Sequence, residues 1–103
     1  MRKQPTKNSL KVMVQHAKTA EGMLKQLANA RRLMILCRLV EGEETVLNLA
    51  AQVGLSQSAL SQHLIKLKSE GLVSSEKRGQ KVFYKISEPS VQKILAVLHS
   101  IYC

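Results

Sequence analysis

No tryptophan occurs in this sequence, and phenylalanine and tyrosine together supply three of its 103 residues. A core made from such a chain must be aliphatic, because the large apolar area that aromatic rings usually bury is missing. Acidic residues are also scarce. Asp and Glu number 7 against 16 for Lys and Arg, which leaves a formal net charge of +9. Such an excess suits a polyanionic partner, either nucleic acid or an anionic membrane surface; charge alone equally describes a basic protein that is merely soluble. No apolar run approaches the length of a membrane span, so no membrane partner is expected. The basic start, Met1–Lys7, is not followed by an apolar stretch of the kind a signal peptide carries, and the expected location is cytoplasmic. Cysteine is limited to Cys37 and Cys103, far apart in sequence. That excludes a disulfide-dense scaffold, and in the cytosol such a pair is more often reduced, inert or redox-active than a permanent staple. There is no Cys-x-x-Cys pair and no nucleophile–base–acid set, so catalysis and a cofactor are not expected.

Hydrophobic residues make up 45 % of the chain, enough for one modest core. Residues 1–8 read as a flexible basic arm and 9–103 as one domain. From Ser9, a candidate N-cap, Leu10, Met13, Val14, Ala17, Ala20, Leu24 and Leu27 recur at helical spacing. Asn29 can cap a second helix, Ala30 to about Val40, which is apolar nearly all round and is expected at the buried centre. Glu41-Gly42-Glu43-Glu44 reads as an acidic loop. Thr45 then caps Val46–Val53, Gly54 breaks that helix, Leu55 turns back to the core, and Ser56 caps a helix from Gln57 to Glu70 that stops at Gly71. Leu72–Glu76 and Lys81–Ile86 read as strands joined by a turn over Lys77–Gln80. Ser87 caps a last helix with the stripe Val91, Ile94, Leu95, Leu98, Ile101 and Tyr102. Two helices about a short glycine turn, followed by a basic hairpin, predict a mostly α winged helix-turn-helix in the order α-α-α-α-β-β-α.

If Leu60, Leu64 and Leu67 point inward, the helix over 57–70 presents Ser58, Ser61, Gln62, Ile65 and Ser69, with Lys66 at the margin. A merely solvated helix would carry more Glu and Lys there. Short hydroxyl and amide side chains allow close approach to a major groove, where Gln bonds adenine, Ser either base type, and an apolar group such as Ile65 a thymine methyl. Gln57 and Ser58 sit at the helix start, where backbone amides favour phosphate. His63, on the flank, is either a surface residue or a contact to phosphate or base edge. The hairpin cations Lys77, Arg78, Lys81 and Lys85 can be a charged strand edge, but directly after a reading helix they fit a wing on the phosphate backbone. The candidate DNA contacts are thus Gln57, Ser58, Ser61, Gln62, His63, Lys66, Lys77, Arg78 and Lys81.

The runs Ser56-Gln57-Ser58-Ala59-Leu60-Ser61-Gln62-His63-Leu64, Glu70-Gly71-Leu72-Val73 and Arg78-Gly79-Gln80-Lys81-Val82-Phe83-Tyr84-Lys85-Ile86 resemble the ArsR/SmtB family of bacterial repressors. Ala28–Leu36 resembles that family's second-helix motif. The resemblance implies a homodimer, with first and last helices at the interface, on an inverted-repeat operator in double-stranded DNA. Within the family, Leu36–Glu43 together with His99–Cys103 resembles the persulfide-sensing branch, marked by one cysteine on the second helix and one on the last. Cys37 and Cys103 match those positions, which implies a repressor released from its operator when a persulfide or polysulfide crosslinks them. The family's metal sensors use a Cys-x-Cys pair on the third helix, where this chain has Val46-Leu47-Asn48-Leu49-Ala50, or carboxylate and histidine ligands on the last helix, where it has Ser90-Val91-Gln92. No metal site is therefore expected. Two other readings stay open: a metal-responsive repressor using His16, His99 and Cys103, or a DNA binder with no redox switch. Cys37 can equally be an inert packing residue. His99 shares a helical face with Cys103 and either steadies a thiolate or is an ordinary interface residue, while the terminal carboxylate beside Cys103 opposes ionisation.

Overall fold

The computed structural model describes residues 7–102, so most of the basic arm and Cys103 lie outside the described residues. Five helices and three strands follow in the order α1 (Lys7–Leu27), α2 (Ala30–Val40), β1 (Glu44–Thr45), α3 (Val46–Val53), α4 (Gln57–Ser69), β2 (Val73–Arg78), β3 (Lys81–Ile86) and α5 (Pro89–Tyr102). Three helix starts are set by the side chains expected to set them. Asn29 Oδ1 accepts from the Arg32 amide, Thr45 Oγ1 from that of Asn48, and Ser56 Oγ from that of Ala59, at 3.1–3.2 Å. Each satisfies an amide that the helix itself cannot pair, a contribution of about 1 kcal/mol. Gly54 and Gly71 end α3 and α4 with φ of +70° and +79°, a region costly for any residue with a Cβ.

The core lies where α2, α3, α4 and α5 meet the sheet. Ile35 and Leu36 of α2, Leu49 of α3, Leu60, Leu64 and Leu67 of α4, and Val91 and Leu95 of α5 are fully buried. Removing each such side chain from water stabilises the fold by about 1.5–3 kcal/mol before entropy is counted. The α4 stripe is the one expected. Arg32 braces the cluster from outside, donating to Glu70 Oε2 and to the Gln26 carbonyl at 3.0 Å each, and so ties the start of α2 to the end of α4.

Four local expectations change. Glu44 does not stay in a loop: with Thr45 it forms a short strand pairing antiparallel to Tyr84 and Phe83, and the sheet has three strands in the order β1-β3-β2. The hairpin strands run to Arg78 and from Lys81, leaving a two-residue turn with Gly79 at φ +63° in its first position. Ser87 is not the cap of α5. Its hydroxyl donates to the Gly71 carbonyl, while Glu88 Oε1 accepts from Ser90 and Pro89 opens the helix. Ser9 lies within α1 rather than at its cap.

α2 lies at the buried centre through Ile35, Leu36 and Leu39 but is not buried all round, and α1 meets the chain's own core only at its end. Only Leu27 of the α1 stripe is buried, and Leu10, Met13, Val14 and Leu24 are each about half exposed. On α2, Met34 is exposed while Leu33, Cys37 and Val40 are half-buried. On α5, Val97 stands on the side away from the core and is 59 % exposed, and Ile101 and Tyr102 at the end of the helix are exposed as well. The chain's own core therefore leaves apolar side chains of α1 and α5 uncovered, and contiguous exposed apolar surface of this kind marks an interaction site.

Candidate nucleic-acid interface

The reading helix α4 owes its position to the leucines beneath it. With Leu60, Leu64 and Leu67 buried, about 100° per residue puts Ser58, Gln62, Ile65 and Ser69 on the opposite side as a ridge. Ser58, Gln62 and Ser69 are exposed, and Ile65 is 64 % exposed. An isoleucine this open gains nothing from the fold and is available to a ligand. Gln57 and Ser61 form one edge of the ridge and Lys66 and His63 the other; Ser61 and His63 are half-buried. The Gln57–Ser61 edge faces an open cleft of about 420 Å³, closed opposite by Leu47 and Asn48 of α3 and by Gln80 and Lys81 of the wing. Leu47 is 62 % exposed, and nothing in the sequence pattern marks it as open.

The wing cations divide into two kinds. Lys77 and Lys81 are exposed and make no ion pair with a carboxylate among the described residues. Arg78, expected to meet phosphate, instead spends its guanidinium within the protein. It donates to both oxygens of Glu43 at 2.6 and 2.9 Å and to Glu76 at 2.8 Å, and it lies 4.6 Å from the Phe83 ring centroid. These bonds hold the guanidinium still further above its usual range, first through Glu43 and then Glu76, and hold both carboxyls below their ordinary value. The triad carries a net charge of −1 at neutral pH. Its evident effect is to pin the hairpin to the loop before β1.

Glu44 organises the same loop from inside. Its carboxylate accepts from the Thr45 amide, Asn48 Nδ2 and Gln52 Nε2, which holds its carboxyl below the ordinary range, the Thr45 amide first. Gln52 in turn accepts from Arg38 Nε, and Arg38 pairs with Glu41 at 2.7 Å.

Cys37 sits beside this network. It is half-buried and lines a cleft of about 430 Å³ with Met34, Arg38, Glu41, Gln52, Val53 and His99. His99 Nε2 lies 3.5 Å from Glu41 Oε2. The fold thus brings α5, through His99, to the wall of the Cys37 cleft, although 62 residues separate the two in sequence. Cys103 follows His99 by four residues in sequence and lies outside the described part. No group of three or more His, Cys, Asp or Glu side chains able to hold a metal ion occurs among the described residues, and none of their helices is long and apolar enough to cross a membrane.

A helix-turn-helix whose second helix is exposed along a polar ridge, followed by a hairpin wing, defines a winged helix-turn-helix DNA-binding regulator. Residues 24–75 match the family described as bacterial regulatory protein, arsR family, and the chain belongs to the ArsR family. It is 44 % identical over 95 residues to the transcriptional activator HlyU of Vibrio cholerae, covering 92 % of this chain and 88 % of the relative. It is 35 % identical over 91 residues to the biofilm growth-associated repressor of Xylella fastidiosa, covering 88 % and 80 %. The crystal structure of the transcriptional regulator HlyU from Vibrio vulnificus superposes with a TM-score of 0.88 at 47 % identity, covering 91 % of this chain and 98 % of that one. The protein is a transcriptional regulator, and its relatives include both an activator and a repressor.

Proposed function

We propose that this regulator is a homodimeric repressor that acts in the cytoplasm and leaves its operator when a persulfide or polysulfide links Cys37 to Cys103. The observation that carries this reading is the shared cleft of Cys37 and His99, which brings the second helix and the last turns of α5 together. In the sequence Cys103 follows His99 by four residues.

In the reduced state the uncovered faces of α1 and α5 pack across a two-fold axis and set two α4 ridges one DNA turn apart, about 34 Å. Ser58, Ser61, Gln62 and Ile65 read base edges, Gln57 and the start of α4 meet phosphate, His63 and Lys66 border the groove, and Lys77 and Lys81 hold the backbone. Arg78 serves that surface by bracing the wing.

The chemistry balances without a cofactor. One cysteine thiolate attacks the sulfane sulfur of a persulfide RSSH, forming Cys–SSH and releasing RSH. The second thiolate attacks the inner sulfur, forming Cys–S–S–Cys and releasing hydrogen sulfide, so the persulfide is reduced as the two thiols are oxidised. If both cysteines are first persulfidated, the same exchange gives a trisulfide and hydrogen sulfide. Either bridge ties α2 to the end of α5, biasing the dimer toward a spacing that no longer fits the operator.

The test is operator binding before and after glutathione persulfide for the wild type, Cys37→Ser and Cys103→Ser. The wild type should release DNA and recover with a thiol reductant. Both variants should bind and fail to release. Normal release by Cys103→Ser would remove the two-cysteine bridge.

A further inference from the structure

The ridge of α4 has two edges, and the wing attends to only one of them. On the other edge Gln62, His63 and Lys66 line a second open cleft, of about 430 Å³, whose opposite wall is the α1–α2 junction with Lys25, Asn29 and Arg32. No carboxylate among the described residues lines it. Glu70 is bound to Arg32 of the cleft wall at 3.0 Å, with both side chains partly buried. Lys25 and Lys66 are exposed and have no such partner among the described residues. Two unneutralised lysines and an imidazole therefore converge on a cleft that opens beside the reading ridge.

We propose that this cleft seats the phosphodiester backbone bordering the major groove on the side away from the wing, and that Lys25 is a DNA contact. The inference rests on the DNA-binding reading of α4 and extends it. A major groove is about 12 Å wide and is bordered by two backbones. A helix about 10–12 Å across, side chains included, fills it and brings each edge against one of them. The edge at Gln57 and Ser61 meets the backbone that Lys77 and Lys81 hold. The edge at Lys66 and His63 must meet the other, and the wall across from it is the one carrying Lys25. The last turns of α1, through Lys25, then belong to the reading surface, although the rest of that helix offers an apolar face for assembly.

The experiment is equilibrium binding of the full chain to a mixed-sequence duplex of about 30 base pairs across a potassium chloride series, long enough for both reading helices of a dimer to sit one DNA turn apart. The variants are Lys25→Gln, Lys25→Arg and Lys77→Gln, with the oligomeric state checked by sedimentation. Each phosphate contact contributes about 0.9 to the slope of log K against log salt, so a contact made by both protomers contributes about 1.8. Lys25→Gln should lose about 1.8 from the slope, as Lys77→Gln does, and Lys25→Arg should restore it. A wild-type slope for Lys25→Gln beside a reduced slope for Lys77→Gln overturns the cleft proposal and leaves the DNA-binding surface standing. Wild-type slopes for both overturn the cleft and the wing together.

Discussion

Neutralising the wing cations one at a time should separate two lysines that grip DNA from an arginine that holds the wing in place. The perturbations are Lys77→Gln, Lys81→Gln and Arg78→Gln. Lys77 and Lys81 are exposed at the hairpin tip, without carboxylate partners among the described residues. Each releases condensed counterions when it meets a phosphate, so each variant should lower the salt slope of a dimer by about 1.8. Raising salt from about 50 to 200 mM then weakens the variant about twelvefold less than the wild type, since four to the power 1.8 is about twelve. Arg78 already has its counter-charges in Glu43 and Glu76. Removing it takes no partner from DNA and should leave the slope near the wild-type value, while loosening the hairpin. Fluorescence anisotropy of a labelled duplex across the salt series measures all three. If Arg78→Gln also loses about 1.8, the guanidinium leaves both carboxylates for phosphate on binding, and its assignment as a brace is wrong.

Gln62→Ala should weaken a matched operator by about 1–3 kcal/mol and a scrambled duplex hardly at all, measured by competition binding; equal losses on both would remove Gln62 from base reading. Val97→Glu, on the open side of α5, should dissociate the dimer in sedimentation with the fold intact by circular dichroism, because its 59 % exposure shows that the chain's own core does not need it; a stable dimer would take that face out of the interface. Glu43 is held below its ordinary value of 4.5 by the Arg78 guanidinium. A lowered folded value means that its contribution is complete above 4.5 and is lost as pH falls below it. An NMR titration should therefore place its midpoint below 4.5 in the wild type and near the ordinary value in Arg78→Gln.

What could be read from the sequence was local. Asn29, Thr45 and Ser56 cap the helices they precede because a cap is a relation between residues three apart. The Leu60, Leu64, Leu67 stripe and the polar ridge opposite follow from helical period alone. What was missed depends on distant partners. Glu44 and Thr45 carry no strand pattern, and they extend only because the edge of β3 is there to pair with. The Arg78–Glu43 pair could not be read either, because Glu43 lies 35 residues away in sequence and nothing local announces the pair. The α5 stripe was phased correctly for Val91 and Leu95, which the core buries, but period alone did not tell the core-facing positions from the open ones, and Val97 was not counted among the latter. Lys25 was hidden for the same reason: its helix reads as an apolar assembly element, and only the fold sets its last turns against α4.

If one bridge, Cys37 to Cys103 within a chain, is what releases DNA, the bridge must be present in the protein that has left its operator. Non-reducing peptide mapping by mass spectrometry, on protein recovered from operator DNA after glutathione persulfide, tests it most directly. A linked pair of peptides containing Cys37 and Cys103, joined by two or more sulfur atoms, should appear in proportion to the DNA released. Full release with Cys37 carrying only an open-chain persulfide, and no linked pair, would contradict it.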